Sequence, residues 1–208
     1  MTDYLKQLFS EQNIKQRIKG KMPVLFQLAE QDSSRAGRIG MEIGSVRERI
    51  IIALLMYRFG EENVITNLPI TLPETDVILF KKPISIKTVT GSLVGIKLIW
   101  TVDAHKAVEF SQNYNPSMDM LLVQINWNVV GWFYYIPLNS QLKIFNQIGR
   151  KNYIKLPKAG TNPRGVEITK QAIQLIVKDK EVYKIDIKWD RVENNTSIYD
   201  RWIKLWGN

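Results

Sequence analysis

The chain has 208 residues, 45% of them apolar, which suits one domain with a substantial hydrophobic core. It has no cysteine and a single histidine, His105, which excludes a Cys/His zinc centre, a thiol nucleophile and any mechanism needing two histidines in one chain. A net charge of +9 and a pI near 9.6 favour a polyanionic partner, nucleic acid or a membrane surface, and leave any chemistry to Asp, Glu, Lys, Ser or Tyr.

The first ten residues mix Asp3 and Lys6 with Leu5, Leu8 and Phe9, unlike a signal peptide. No apolar run is long enough to span a bilayer, so a cytoplasmic protein is expected. The spacing of Leu5, Leu8, Phe9 and Ile14 predicts a helix over 4–17, and a second short helix is expected over 23–31. Residues 32–44 are polar and Gly-rich, a loop with two arginines, Arg35 and Arg38, and with Met41 close behind them. Ser45 then opens a strong helix. Ser45-Val-Arg-Glu48 has capping-box spacing, Val46, Ile50, Ala53, Leu54 and Tyr57 follow at helical intervals, and Gly60 ends the run.

Strands are expected over 63–70, 76–80, 84–89 and 94–102, with a turn at Pro73 and a break at Lys81-Lys82-Pro83. A helix over 103–114, strands over 120–127 and 130–137, and a helix over 140–148 follow. The last third holds a loop at 158–165 with Lys158 and Arg164, a helix over 169–177, and an alternating strand over 182–189. The chain ends in Tyr199, Trp202, Ile203 and Trp206, which read as the docking face of a terminal helix. The fold class is therefore α/β: a mixed central β-sheet flanked by helices. The expected single domain divides into N-terminal helices and a basic loop (1–44), a core (45–150) and a C-terminal extension (151–208), available for DNA contact or dimerisation.

A turn centred on Lys81-Lys82 sets Asp76 opposite Lys87, with Cβ atoms about 5 Å apart on an otherwise apolar hairpin. Two charges there are costly unless they pair or bind a metal. Mg²⁺ prefers oxygen ligands and acidifies bound water, and a neighbouring lysine can orient that water. One aspartate is a thin ligand set. Glu48, in the preceding helix, is the expected second carboxylate, with Glu42 in the loop before it as competitor.

With these residues the chain resembles the PD-(D/E)XK nuclease superfamily over roughly 44–127. The segments that carry the likeness are Pro73-Glu-Thr-Asp76 and Ser85-Ile-Lys87. Thr75 precedes Asp76 where the family has proline, and Ser85 stands where it has an acid. Some members move that acid to the preceding helix, which here gives Glu48. The resemblance implies a helix-strand-strand-strand-helix-strand core and a Mg²⁺ site made by Glu48, Asp76 and the backbone carbonyl of Ile86. It also implies Lys87 as the residue that positions the attacking water. The spacing of Glu48, Asp76 and Lys87, with Met41 in a basic Gly-rich loop upstream, is similar to that of the ThaI-type restriction endonucleases. That likeness implies a homodimer cutting double-stranded DNA at a short palindromic GC-only site, beside a companion DNA methyltransferase. Two other functions remain open on the sequence: a structure-specific nuclease such as a Holliday junction resolvase, and a DNA-binding protein without catalysis.

Plainer explanations exist for each residue. Glu48 completes a capping box with Ser45; Asp76 suits a turn after Pro73; Lys87 could be a structural partner of Asp76. Met41 is by type a core residue, but its basic setting suits a wedge between base steps, entering from the minor groove. Arg35, Arg38, Arg47, Lys158 and Arg164 are the candidate DNA contacts. Asp186-Ile-Lys188 also fits acid-any-Lys, with Asp179 upstream, but its strand alternates as a solvated face does. His105 is expected on a surface helix.

Overall fold

The N-terminal helices divide differently from the expectation. In the computed structural model α1 spans Tyr4–Ser10 and α2 runs unbroken over Gln12–Asp32, with Pro23 inside it. The break expected over 18–22, before Pro23, is absent because Ile14, Ile18, Met22 and Phe26 form one buried stripe across it, and the helix instead breaks at Glu11. The structure describes residues 4–35, 38–39, 42–69, 72, 74–99, 103–156, 165–192, 199, 203 and 206, and of Arg35, Arg38 and Ile39 the backbone only. Two short strands, β1 (Ser34–Arg35) and β2 (Arg38–Ile39), pair antiparallel where a loop was expected.

Helix α3 covers Ile43–Phe59, beginning two residues before Ser45. Its N-cap is Glu42, which makes no side-chain cap hydrogen bond, so the capping box is not formed. Arg47, Ile51 and Leu55, one turn apart, make its buried face. Gly60 closes it at φ 87°, a conformation that favours glycine, with its N–H donating to the Met56 carbonyl.

Strands β3 (Val64–Ile65), β4 (Val77–Leu79) and β5 (Lys82–Thr90) follow. Next come β6 (Gly95–Lys97), α4 (Ala104–Asn113), β7 (Asp119–Ile125) and β8 (Val130–Ile136). The main sheet is completed by β11 (Tyr183–Lys188) in the order β11-β8-β7-β5-β4-β3. Among the described residues only β5 and β7 pair parallel, which requires the crossover that β6 and α4 supply. The expected mixed sheet flanked by helices is what forms.

Side chains of β7 alternate between two cores. Leu121, Val123 and Ile125 point to α1, α2 and α3, while Met120 and Leu122 point to the opposite face. That second face packs against α5 (Leu138–Ile148), α6 (Arg150–Tyr153) and α7 (Lys170–Ile176). It also packs against a three-stranded sheet in which β6 pairs with β10 (Glu167–Thr169), and β10 with β9 (Ile154–Lys155). Of the strand expected over 94–102, Gly95–Lys97 form β6 of this separate sheet, the Leu98 N–H donates to the Val166 carbonyl, and residues 100–102 lie outside the described residues. Among the described residues no helix is long and apolar enough to cross a membrane. Of the residues expected on a terminal docking face, Tyr199, Ile203 and Trp206 are 63%, 64% and 91% exposed, and Trp202 lies outside the described residues.

Candidate active site

The β4–β5 turn sits one residue earlier than the sequence suggests. Phe80 and Lys81 both adopt positive φ, 47° and 65°, as the central pair of a tight hairpin turn. Such angles strain a phenylalanine, and the ring is held by stacking on Tyr4 at 4.0 Å and by an edge contact with Phe59. Moving the turn moves the register by two: Val77 lies opposite Ile84 and Leu79 opposite Lys82. Continued outward, this puts Asp76 level with Ser85 rather than Lys87. A two-residue shift keeps the face, so Lys87 still reaches Asp76 diagonally.

Asp76 Oδ2 receives the Lys87 ammonium at 3.0 Å, the Ile86 backbone N–H at 2.6 Å and the Ser85 hydroxyl at 3.3 Å. Ser85, standing where an acid was expected, is therefore a donor to the aspartate. The Ile86 interaction also fixes a direction. Within a strand, a residue's N–H and C=O leave the backbone on the same edge. Since the Ile86 N–H points to Asp76, its carbonyl projects on the β4 side, where pairing has already ended at Ile84.

Helix α3 brings Glu48 over this edge. A cavity of about 720 Å³ opens between the first half of α3, the 74–76 approach to β4, the end of β5, and β6, and Glu48, Asp76 and Lys87 line it together. Burial pushes the Glu48 carboxyl up to about 7; Asp76 adds to the rise, and Lys87 and Arg49 oppose it. Glu42 is exposed at the helix start and is not part of the lining. With no capping box, Glu48 has no structural role at the helix end.

The cavity holds two carboxylates that sequence reading passed over, Glu167 of β10 on the far wall and Glu74 beside Asp76. Glu74 lines it at φ 67°, and burial raises its carboxyl to about 7, with Asp76 adding and Lys87 opposing. Sequence reading gave Glu74 no role of its own between the turn at Pro73 and Asp76. The only signal was its nearness to Asp76, because at positive φ the alternation of an extended strand does not give its side chain's direction. Among the described residues no three Asp, Glu or His side chains come close enough to hold a metal by themselves. A metal here would need backbone and water oxygens besides two carboxylates. The Ile86 carbonyl and the roomy cavity fit that need, and a cation would relieve the mutual repulsion of Glu48 and Asp76.

Arg47 corrects an expectation. It was a candidate DNA contact, but its side chain is 6% exposed and paired with Glu30 at 2.5 Å. It lies on the inward face of α3, one residue from Glu48. Of the other candidates, Arg35 and Arg38 pair with each other through the backbones of β1 and β2. Met41, Lys158 and Arg164 fall outside the described residues. His105 is exposed on α4. Asp186 points out from β11 and pairs with Lys19 at 2.8 Å, far along the sheet from Glu48.

Residues 8–208 match the family model of the restriction endonuclease ThaI. A solved structure described as a restriction endonuclease in complex with substrate DNA superimposes with a TM-score of 0.92. It is 53% identical in sequence, and the match covers 99% of both chains. No curated protein matches the chain. The family match takes in α3, the β4–β5 hairpin and every wall of the cavity, and the chain belongs to the ThaI restriction endonuclease family.

Proposed function

We propose that the chain is a Mg²⁺-dependent type II restriction endonuclease of the PD-(D/E)XK kind, which hydrolyses double-stranded DNA as a homodimer. The observation that carries this reading is the convergence of Asp76, Lys87 and Glu48 in one cavity. Glu48, Asp76 and the Ile86 carbonyl are the groups that would hold the metal. When bound, Mg²⁺ supplies polarisation of the scissile phosphate and a more acidic water. Lys87, tethered to Asp76 and 13% exposed, orients the attacking water and balances charge developing on phosphorus. Asp76 holds Lys87 in place, and the β5 backbone holds Asp76. Hydrolysis is in-line, with no covalent enzyme intermediate.

DNA would enter over the rim of the cavity. Met41 lies two residues before Ile43, where the part of α3 that lines the cavity begins, which supports the minor-groove wedge, with Arg35 and Arg38 on phosphates. Lys158 and Arg164 lie in the connection from β9 to β10, and Glu167 of β10 lines the opposite wall. The family resemblance supports a short palindromic GC-only target and a companion methyltransferase. Ile203 and Trp206, apolar and exposed, suit cover by a second copy.

Digestion of plasmid and linear duplex DNA, with Mg²⁺ and with chelator, tests the reading. Discrete fragments only with Mg²⁺, with GC-only palindromes at the sequenced ends, are expected. Cutting confined to branched junctions, or binding without cleavage, would reject it.

A further inference from the structure

The buried ion pair beside the active site is built into more than the core. Glu30, 4% exposed, sits in the last turn of α2 and receives Arg47 at 2.5 Å, the Trp127 indole N–H at 2.9 Å and Arg191 at 2.8 Å. The other arm of the Arg47 guanidinium donates to the Thr90 hydroxyl at 3.1 Å. Thr90 is the last residue of β5, the strand of Lys87, and Arg47 is the chain neighbour of Glu48. One guanidinium therefore joins α2, α3 and β5.

Packing alone gives a poor account of this arginine. Ile51 and Leu55, both fully buried, already seat α3 on the sheet. A buried ion pair contributes little net stability compared with apolar residues of the same volume. Arg47 also carries a cost, since its Nε is buried with no hydrogen-bond partner among the described residues. What an apolar residue could not do is set direction. The planar fork fixes the roll of α3 against β5, and so the approach of Glu48 to Asp76 and Lys87.

The same pair spans the neck of the basic segment. Glu30 lies just before residues 33–42 and Arg47 just after them, so the ion pair closes the base of the stretch that bears Arg35 and Arg38. We propose that Glu30, Arg47 and Thr90 form a positioning clasp, which fixes the alignment of Glu48 on α3 with Lys87 on β5. The proposal rests on the nuclease reading, and its effect is on the cleavage step rather than on binding.

Thr90 gives the cleanest test, because it is exposed and Thr90→Val preserves its shape while removing the acceptor. The measurements are single-turnover cleavage in Mg²⁺ and affinity for the same duplex with Ca²⁺ in its place. Thr90→Val is expected to slow cleavage by about tenfold or more, as small misplacements of reacting groups do. Affinity is expected to stay within about twofold, and Thr90→Ser to restore the rate. Glu30→Gln gives the same split, larger. Arg191→Gln, which removes another partner of Glu30 away from the cavity, lowers thermal stability and leaves the rate unchanged. A wild-type cleavage rate in Thr90→Val, a parallel fall in rate and affinity, or no rescue by Thr90→Ser would overturn the clasp. Failure of the wild-type protein to cut DNA would instead reject the nuclease reading beneath it.

Discussion

Two strands of the main sheet carry the same local chemistry, an aspartate and a lysine within salt-bridge reach of charged neighbours, and they differ in their surroundings: Asp76 and Lys87 line a cavity with Glu48, while Asp186 and Lys188 lie on an exposed face. On β5, Lys87 meets Asp76 from the neighbouring approach to β4, with both side chains mostly buried (13% and 20% exposed). On β11, Asp186 and Lys188 share a face but pair elsewhere, with Lys19 and Asp190, at exposures of 60% and 74%. The difference lies in what surrounds them. Strand β5 lies inside the sheet and its open end is roofed by α3, which adds Glu48; β11 is an edge strand with solvent on its outer face. A motif of acid, spacer and lysine is chemistry only when a second element closes over it and raises the cost of leaving its charges unbalanced.

The largest expected effect separates the two places directly. Asp76→Ala and Lys87→Ala are each expected to lower plasmid cleavage about 10³-fold, the scale of losing a preorganised charged group at a phosphoryl centre. Asp186→Ala and Lys188→Ala are expected to cut at the wild-type rate. A deep loss in the β11 variants, or activity surviving in Lys87→Ala, would reverse the assignment.

Glu48 sharpens the contrast, because its carboxyl is raised to about 7 by burial and by Asp76. The folded protein without metal resists ionising this group, so the stabilisation it gives is full below the ordinary carboxylate range and is lost as pH rises towards 7. Glu48→Gln is therefore expected to raise the Tm of the metal-free protein at pH 8 by about 2–4 °C, while abolishing cleavage. For the wild type, cleavage at limiting Mg²⁺ should fall as pH drops below about 7, and added Mg²⁺ should move that fall to lower pH. A Tm that drops in Glu48→Gln at pH 8 would mean the carboxylate is structural.

Much of this site was legible in the sequence, and its gaps have physical causes. The Asp76–Lys87 pairing survives a wrong turn position because strand period is two, so the shift that moved the turn to Phe80-Lys81 preserved the face. Glu48 was singled out through the missing acid at Ser85 and lines the cavity with Asp76 and Lys87, yet its apparent capping role was an illusion of spacing: α3 starts at Ile43 and Ser45 lies inside it. Arg47 looked like a surface contact because arginine is rarely buried, and its partner Glu30 is 17 residues away with nothing local to announce it. Glu74 was hidden by positive φ, which a turn-prone Pro-Glu-Thr stretch suggests but a side chain's direction does not reveal.

Removing Lys87 without adding bulk probes the charge balance of the cavity by stability alone. Lys87→Met leaves Glu48, Glu74 and Asp76 facing one another, and the charge that opposed their mutual repulsion is gone. At pH 8 without metal a loss of about 2 kcal/mol is expected, below the cost of breaking a fully buried pair because the site is partly solvated. At pH 5, where Glu48 and Glu74 hold protons, most of that loss should vanish. Denaturant melts at the two pH values make the comparison, and Lys188→Met, on the solvated strand, should show no such dependence.

The smallest effect is expected where the motif is decorative. Asp186 and Lys19 are 60% and 42% exposed, so their pair is screened and entropically costly to hold. Lys19 holds the Asp186 carboxyl below its usual range. The stability it adds is present above the ordinary carboxylate range and is lost as pH falls through that range. Asp186→Asn should therefore cost at most about 0.5 kcal/mol at neutral pH and low salt, and less in acid or in high salt. A cost several times larger would mean that the outer face of β11 is covered in the working protein, by DNA or by a second copy, and the contrast between the two strands would need a different cause.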